Sequence, residues 1–180
     1  MPMVVVVSGA PGSGKTTLAH EVAGAIGCPA ICRDEIKEGM VHATPDFVQS
    51  ASDPLSLRTL STFFDVIGLL IGRGTTVVAE AAFQDRLWRP GLAPLLGSAD
   101  VRIIQCTVSP EAALDRIATR TAGNPLRRAH EDPHTPPDLD ALRRVQTNFD
   151  PITLPVPTLG VDTTDGYHPA LPEILAFLAR

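Results

Sequence analysis

Cysteine, lysine and long unbroken apolar stretches are all scarce in this sequence. The three cysteines in 180 residues, Cys28, Cys32 and Cys106, match no common zinc or redox spacing and are too few for a disulfide framework. Each falls beside or within a predicted strand, so buried reduced thiols and a reducing, cytoplasmic setting are expected. No segment reads as apolar for long enough to span a bilayer. The opening MPMVVVV lacks a basic flank, and its apolar run is short for a secretory signal. No membrane partner is therefore expected. An excess of positive charge is missing too: 15 Lys and Arg stand against 20 Asp and Glu, a net charge of −5. That balance disfavours a broad nucleic-acid face. No repeat and no linker divides the chain, and its length suits one domain over 1–180.

What is present alternates strand and helix signals. Val4 to Ser8 reads as a strand buried on both faces, because a continuous β-branched run suits a parallel sheet covered on both sides. A helix follows from about Gly14, with Leu18, Val22, Ala25 and Ile26 inward and a stop at Gly27 and Pro29. Pro29–Cys32 is a short strand and Asp34–Val41 a short helix. Asp53-Pro54 starts a long amphipathic helix through Leu57, Leu60, Phe64, Ile67 and Ile71. Thr75 to Ala79 is a third strand ending at Glu80, and a helix broken by Pro90-Gly91 follows. Val101–Val108 is a fourth strand. Ser109 caps the next helix, which turns Leu114 and Ile117 inward. The polar, proline-rich stretch 121–137 reads as a lid. A helix with Leu139, Leu142, Val145 and Phe149, a strand over Pro157–Asp162 and a closing helix with Leu171, Ile174, Leu175 and Leu178 complete the chain. The fold expected is α/β, doubly wound, with a mainly parallel five-stranded sheet.

The strongest signal is the loop after the first strand. Gly9-Ala10-Pro11-Gly12-Ser13-Gly14-Lys15-Thr16-Thr17 fits G-x-x-x-x-G-K-[ST] at every fixed position. Glycines let successive backbone N–H groups turn inward on a phosphate, and the helix N-terminus behind them adds partial positive charge. Lys15 would reach the β- and γ-phosphates of ATP, and the Thr16 hydroxyl would bind Mg²⁺. This is the pattern of a nucleoside triphosphate site, a P-loop NTPase fold.

Other residues separate the classes that share this loop. GTP switches read their base with N-K-x-D, which a chain whose lysines are Lys15 and Lys37 does not contain. The acidic pair of motor ATPases has no counterpart in Ala79-Glu80-Ala81. The segment Cys32-Arg33-Asp34-Glu35-Ile36-Lys37 resembles the R-D-x-[IY]-[RK] element of small AAA-family P-loop kinases. That group contains chloramphenicol phosphotransferase, the kinase domain of polynucleotide kinase and zeta-toxin-like kinases. The resemblance implies a fold like that of nucleoside and shikimate kinases, with a helical, arginine-bearing lid.

It also implies roles. Asp34 is the general base on the acceptor hydroxyl, and Lys37 and Arg86 are substrate contacts. Arg116 and Arg120, four apart on one helix face, and Arg127 in the lid close on the nucleotide phosphates, with Arg120 the leading clamp. Thr163 and Thr164 border the base. Glu80 ends a strand where many P-loop proteins keep a carboxylate for magnesium, and it fits metal or substrate equally. The residues leave plainer readings open: Asp34 as a helix cap, Arg86 with Asp85 as a surface pair, and Thr163–Thr164 as turn chemistry. The lid also brings Arg128 beside Arg127, while His130 and His134, next to Glu131 and Asp132, read as substrate contacts or exposed groups rather than zinc ligands.

The acceptor expected is a small molecule with a hydroxyl, such as an antibiotic, sugar or nucleoside. It would sit near Met40, Val41, Phe47 and Phe83, in a protein acting as a monomer or homodimer. A zeta-toxin-like or regulatory nucleotide-binding protein and a 5′-end nucleic-acid kinase are the competing readings.

Overall fold

The run of four valines sets the architecture. In the computed structural model, which describes residues 1–45, 47–48, 54–123 (120–123 by backbone alone) and 138–179, β1 (Met3–Gly9) is the middle strand of a five-stranded sheet. β3 (Val77–Ala81) lies on one side of it and β4 (Asp100–Thr107) on the other. β2 (Ala30–Cys32) pairs outside β3, and β5 (Thr158–Asp162) pairs outside β4, giving the order β2-β3-β1-β4-β5. Every one of these pairings is parallel.

Parallel strands need crossover helices, and these cover both faces. Side chains alternate along a strand, so Val4 and Val6 pack with Phe63, Ile67, Val77 and Trp88. Val5 and Val7 pack on the opposite face with Leu18, Val22, Ile104 and Ile174. All four valines are fully buried, each contributing about 2 kcal/mol of transfer free energy. The first face is covered by α3 (Pro54–Gly72) and α4 (Asp85–Leu92), the second by α1 (Lys15–Ile26) and α7 (Leu171–Leu178). α2 (Arg33–His42) packs on α3, and α5 (Pro110–Gly123) on α6 (Leu139–Thr147).

Several helices depart from the pattern read in the sequence. The inward stripe of α1 is Leu18, Ala19, Val22 and Ala23, while Ala25 and Ile26 are exposed in the last turn before the left-handed Gly27. On α3 the stripe runs Leu55, Thr59, Phe63, Ile67 and Ile71, so Leu57 is outside at 74 % exposure. Thr59 explains the offset: its hydroxyl donates to Leu55 O at 2.6 Å, which makes a polar residue acceptable in the core. α3 is also, by length and composition, apolar enough to cross a membrane. That corrects the expectation that no segment is, although its stripe here is spent on the sheet.

α4 runs through Pro90-Gly91 rather than breaking there, and a 3-10 turn, Ala93–Leu95, follows. Gly91 marks a close approach instead: a Cβ there would stand 2.1 Å from Phe64 Cε1. α6 ends at Thr147 with Val145 exposed and Phe149 beyond it. β3 extends to Ala81, which places Glu80 inside the strand. Ser109 does cap α5, its Oγ accepting from Ala112 N at 3.2 Å. Asp53 and the 124–137 part of the expected lid lie outside the described residues.

Candidate functional site

Strand register brings the parts of the site together. Val7 pairs with Glu80 and Ser8 with Ala81, so the loop leaving β1 and the carboxylate on β3 emerge at the same sheet edge. Ligands of open α/β sheets bind at this carboxyl edge. The loop that carries Gly9, Ala10, Pro11, Gly12, Ser13 and Gly14 then opens directly into α1 at Lys15, Thr16 and Thr17. Gly12 has φ of 81°, and a Cβ on it would stand 2.9 Å from Ala113 Cβ. Glycine is therefore required on both conformational and steric grounds. Ser13 Oγ is buried without a hydrogen-bond partner. An unspent hydroxyl sealed in a glycine-rich loop at a helix start suits a phosphate oxygen.

Lys15 and Thr16 both meet Glu80. Lys15 Nζ lies 3.8 Å from Glu80 Oε1, and Thr16 Oγ1 donates to Glu80 Oε2 at 3.3 Å. Glu80 is only 2 % exposed. Burial pushes its carboxyl above the usual range, the Lys15 ammonium pulls it back, and the Asp34 charge adds to the upward push. A hydroxyl and a carboxylate side by side, with an ammonium next to them, form the all-oxygen donor set and counter-charge that a hard divalent ion and a polyphosphate need.

Lys15 and Thr16 face a cleft of about 640 Å³, lined also by Gly12, Gly14, Thr17, Asp34, Glu35, Glu38, Arg116, Thr163, Gly166 and Tyr167. Asp34 sits in the first turn of α2, where Arg33 Nη1 donates to its Oδ1 at 3.0 Å. Cys32, not Asp34, is the cap residue of that helix, so this carboxylate is not consumed as an N-cap.

Arg116 is engaged with backbone. Its guanidinium donates to Gly12 O at 3.4 Å, to Thr163 Oγ1 at 3.1 Å, to Thr164 O at 3.4 Å and to Thr163 O. Thr163 Oγ1 is also within hydrogen-bond distance of Ser13 O, 2.8 Å, and Thr107 O, 3.1 Å. Thr164 Oγ1 accepts from Ser109 N at 2.9 Å, and its own N–H donates to Asp162 Oδ1 at 2.7 Å. Hydrogen bonds from the Thr164 side chain and then from its backbone N–H hold the Asp162 carboxyl below its usual range, and the backbone bond is the Asx-turn chemistry open in the sequence. Arg116 and Thr163 therefore latch α5 and the β5–α7 turn onto the phosphate loop.

Other residues named from the sequence do not converge here. Lys37 is buried, its Nζ donating to Ser56 Oγ of α3 at 3.0 Å, and it does not line the cleft. Arg86 is exposed on α4 and is likewise outside it. Arg120 is on α5, its side chain outside the described residues, as is all of Arg127. Phe83 belongs to an edge-to-face aromatic core with Phe63 and Trp88, while Met40, Val41 and Phe47 cluster with Leu55.

Glu35, Glu38 and Tyr167 line the cleft without having been singled out. The i,i+4 spacing of Asp34 and Glu38 was a usable signal, whereas Tyr167 arrives only through the β5 crossover. Cys28, Cys32 and Cys106 are all thiols. Burial pushes Cys106 up to about 12 and raises Cys28 and Cys32 as well.

Comparison with known proteins places this geometry. The sequence model of a family described as AAA domain matches residues 4–152. An uncharacterized protein of Mycobacterium tuberculosis is 26 % identical over 130 residues, which is 67 % of this chain and 26 % of the relative. The chain thus spans about a quarter of the length of the curated relatives it matches. Among solved structures, a kinase candidate from Chloroflexus aurantiacus superposes with a TM-score of 0.79 at 24 % identity, covering 99 % of this chain and 94 % of that one. A sugar kinase from Janibacter sp. gives 0.66 at 18 %, covering 99 % and 95 %, and a gluconokinase from Sinorhizobium meliloti gives 0.62 at 19 %, covering 99 % and 92 %. At these identities the likeness is one of fold: a five-stranded parallel α/β sheet of the P-loop kinase type.

Proposed function

From a chain that belongs to the AAA domain family, we propose an ATP- and Mg²⁺-dependent phosphotransferase that moves the γ-phosphoryl group to a hydroxyl of a small molecule. The observation that carries the reading is that Lys15 and Thr16, both in contact with the buried Glu80, line one cleft with Asp34. Kinase-type folds in the structural neighbours support it in general terms.

In this reading the loop N–H groups, Ser13 Oγ and Lys15 hold the β- and γ-phosphates. Thr16 Oγ1 and Glu80 would hold Mg²⁺, which would supply charge neutralisation at the phosphates. Asp34 accepts the proton of the acceptor hydroxyl as its oxygen bonds to the γ-phosphorus and the bond to the β–γ bridging oxygen breaks, releasing ADP. Arg116 keeps the loop in shape from behind, and Arg120 and Arg127 are proposed to approach the phosphates from the lid side. Thr163 and Gly166 lie toward the expected base, with Tyr167 next to them. The acceptor enters beside Asp34, Glu35 and Glu38. The protein works in the cytoplasm as a monomer or homodimer.

The test incubates the purified protein with ATP, Mg²⁺ and a pooled panel of antibiotics, sugars, nucleosides and oligonucleotides. Mass spectrometry is the readout, and Lys15→Ala is the blank. The expected outcome is a phosphorylated small molecule with wild type only, and loss of that product in Asp34→Asn while ATP binding persists. ATP binding without any modified acceptor would instead favour the regulatory reading. A phosphorylated oligonucleotide alone would make the protein a 5′-end kinase.

A further inference from the structure

His20 on α1, Cys32 at the end of β2 and Glu35 in the first turn of α2 come from three elements and meet at one point. His20 Nε2 lies 2.6 Å from Glu35 Oε1 and 3.6 Å from Cys32 Sγ. Together the three potential ligand atoms lie within 4.8 Å of one another. Glu35 borders the cleft, but His20 and Cys32 do not line it, and of the three Cys32 alone reaches the Lys15–Thr16–Glu80 cluster, through a hydrogen bond with Glu80.

Simpler roles fit poorly. An exposed His–Glu pair is worth about 0–1 kcal/mol and does not by itself bring a sulfur to within 3.6 Å of the imidazole. A nucleophilic thiol needs its proton held loosely. Here burial and the carboxylates of Glu80, Glu35 and Asp34 push the Cys32 thiol upward.

We infer that His20 Nε2, Cys32 Sγ and the Glu35 carboxylate form a binding site for a borderline-soft divalent cation of the zinc class, separate from the magnesium position proposed at Thr16 and Glu80. One nitrogen, one sulfur and one carboxylate oxygen are the ligands such an ion takes, with a fourth position left for water. Tetrahedral zinc with ordinary bond lengths sets nitrogen and sulfur about 3.5 Å apart and nitrogen and oxygen about 3.4 Å apart. The nitrogen–sulfur separation of 3.6 Å already matches. The carboxylate must draw back from the imidazole by less than about 1 Å, and the Glu35 side chain, 49 % exposed, has room to do so.

On binding, the charge of the ion offsets the burial and the carboxylates that raise the Cys32 thiol, and the Cys32 proton passes to solvent. Thiolate and carboxylate then balance the two charges of the ion, and no redox change occurs. Mg²⁺ is a poor competitor because it demands near-octahedral oxygen ligation. The ion would fasten α1, which begins at the phosphate loop, to the turn of α2 that carries Asp34.

Co²⁺ titrated into the whole, reduced protein tests this as a spectroscopic stand-in. The expected result is a cobalt–thiolate charge-transfer band with tetrahedral d–d intensity. That band saturates at one ion per chain and is displaced by Zn²⁺ but not by a large excess of Mg²⁺. His20→Ala and Glu35→Gln, both at exposed positions that folding tolerates, weaken binding at least about tenfold, and Cys32→Ser abolishes the thiolate band. Absence of the band in wild type overturns the inference, as does displacement by Mg²⁺. A band unchanged in both His20→Ala and Glu35→Gln assigns the thiolate to Cys28 or Cys106 and overturns it equally. The readout is ion binding alone, so its outcome is independent of phosphoryl transfer.

Discussion

Lys15 Nζ stands 3.8 Å from Glu80 Oε1, with the two side chains only 11 % and 3 % exposed. The pair joins the first residue of α1 to the middle strand pairing of the sheet, and each charge is the other's main compensation. Burying a charge costs several kcal/mol unless it is paired, so the loop lysine and the strand carboxylate depend on each other before any phosphate arrives.

Lys15→Ala should therefore destabilise the protein in a pH-dependent way. Glu80 has a folded-state pKa raised above its unfolded value by burial, with Lys15 opposing the rise. Removing Lys15 raises it further. The stability associated with the protonated carboxyl is complete below the unfolded pKa and is lost as pH rises through the folded one. Urea unfolding below the ordinary carboxylate range and again at neutral pH should show a larger deficit for Lys15→Ala at the higher pH. A deficit equal at both pH values would mean that Lys15 does not set the Glu80 charge.

Arg116 predicts a loss that lysine does not rescue. Its planar fork reaches Gly12 O, the Thr163 hydroxyl and the Thr163–Thr164 backbone at once, which a single ammonium on a flexible stem cannot reproduce. Both Arg116→Ala and Arg116→Lys should lower unfolding stability by about 2 kcal/mol, from partly buried carbonyls left unsatisfied. ATP affinity should fall in parallel by about tenfold, the equivalent of 1.4 kcal/mol. Full affinity in Arg116→Lys would reduce Arg116 to a point charge.

These two cases mark what a sequence can carry. The phosphate loop is contiguous, so Gly9, Gly14, Lys15 and Thr16 sit at fixed spacing and are legible, as is the sheet from Val4–Val7, whereas the requirement at Gly12 rests on the distant Ala113. The Arg116 latch was not, because its partner Gly12 lies 104 residues away and its acceptors are carbonyls that every residue type owns. Lys37 looked like a cleft residue until Ser56 on α3 claimed it. Thr59 was invisible to an apolar pattern because a local hydroxyl-to-carbonyl bond buries it. The meeting of His20, Cys32 and Glu35 depends on three elements converging, which no linear ligand spacing encodes.

Gly91→Ala separates helix propensity from packing. In a helix interior, alanine is favoured over glycine by about 1 kcal/mol. At this position a Cβ would stand 2.1 Å from Phe64 Cε1, and Phe64 is held by Phe63 and Trp88. Overpacking a core costs about 1–3 kcal/mol, so the steric term outweighs propensity. The variant should be destabilised by about 1–2 kcal/mol, with Phe64→Leu in the same chain returning part of the loss. A stabilised Gly91→Ala would show that the ring can turn aside.

Asp85 sets the acid end of the stability profile. Its Oδ1 accepts from Thr153 N at 2.8 Å, and its Oδ2 pairs with Arg89 at 2.8 Å. Together these tie the start of α4 to the segment holding the buried Ile152 and Leu154. The Thr153 backbone bond and then Arg89 hold the Asp85 carboxyl below its usual range. A depressed folded-state pKa contributes stability that is present above the unfolded value and is lost as pH falls through the folded one. Asp85→Asn should thus lower the Tm at neutral pH, with the gap from wild type closing as the pH drops below about 4. Because wild type loses its own advantage there, the two melting curves should converge in acid. A gap that persists undiminished at low pH would assign the effect to lost shape at the start of α4 and not to the carboxylate charge.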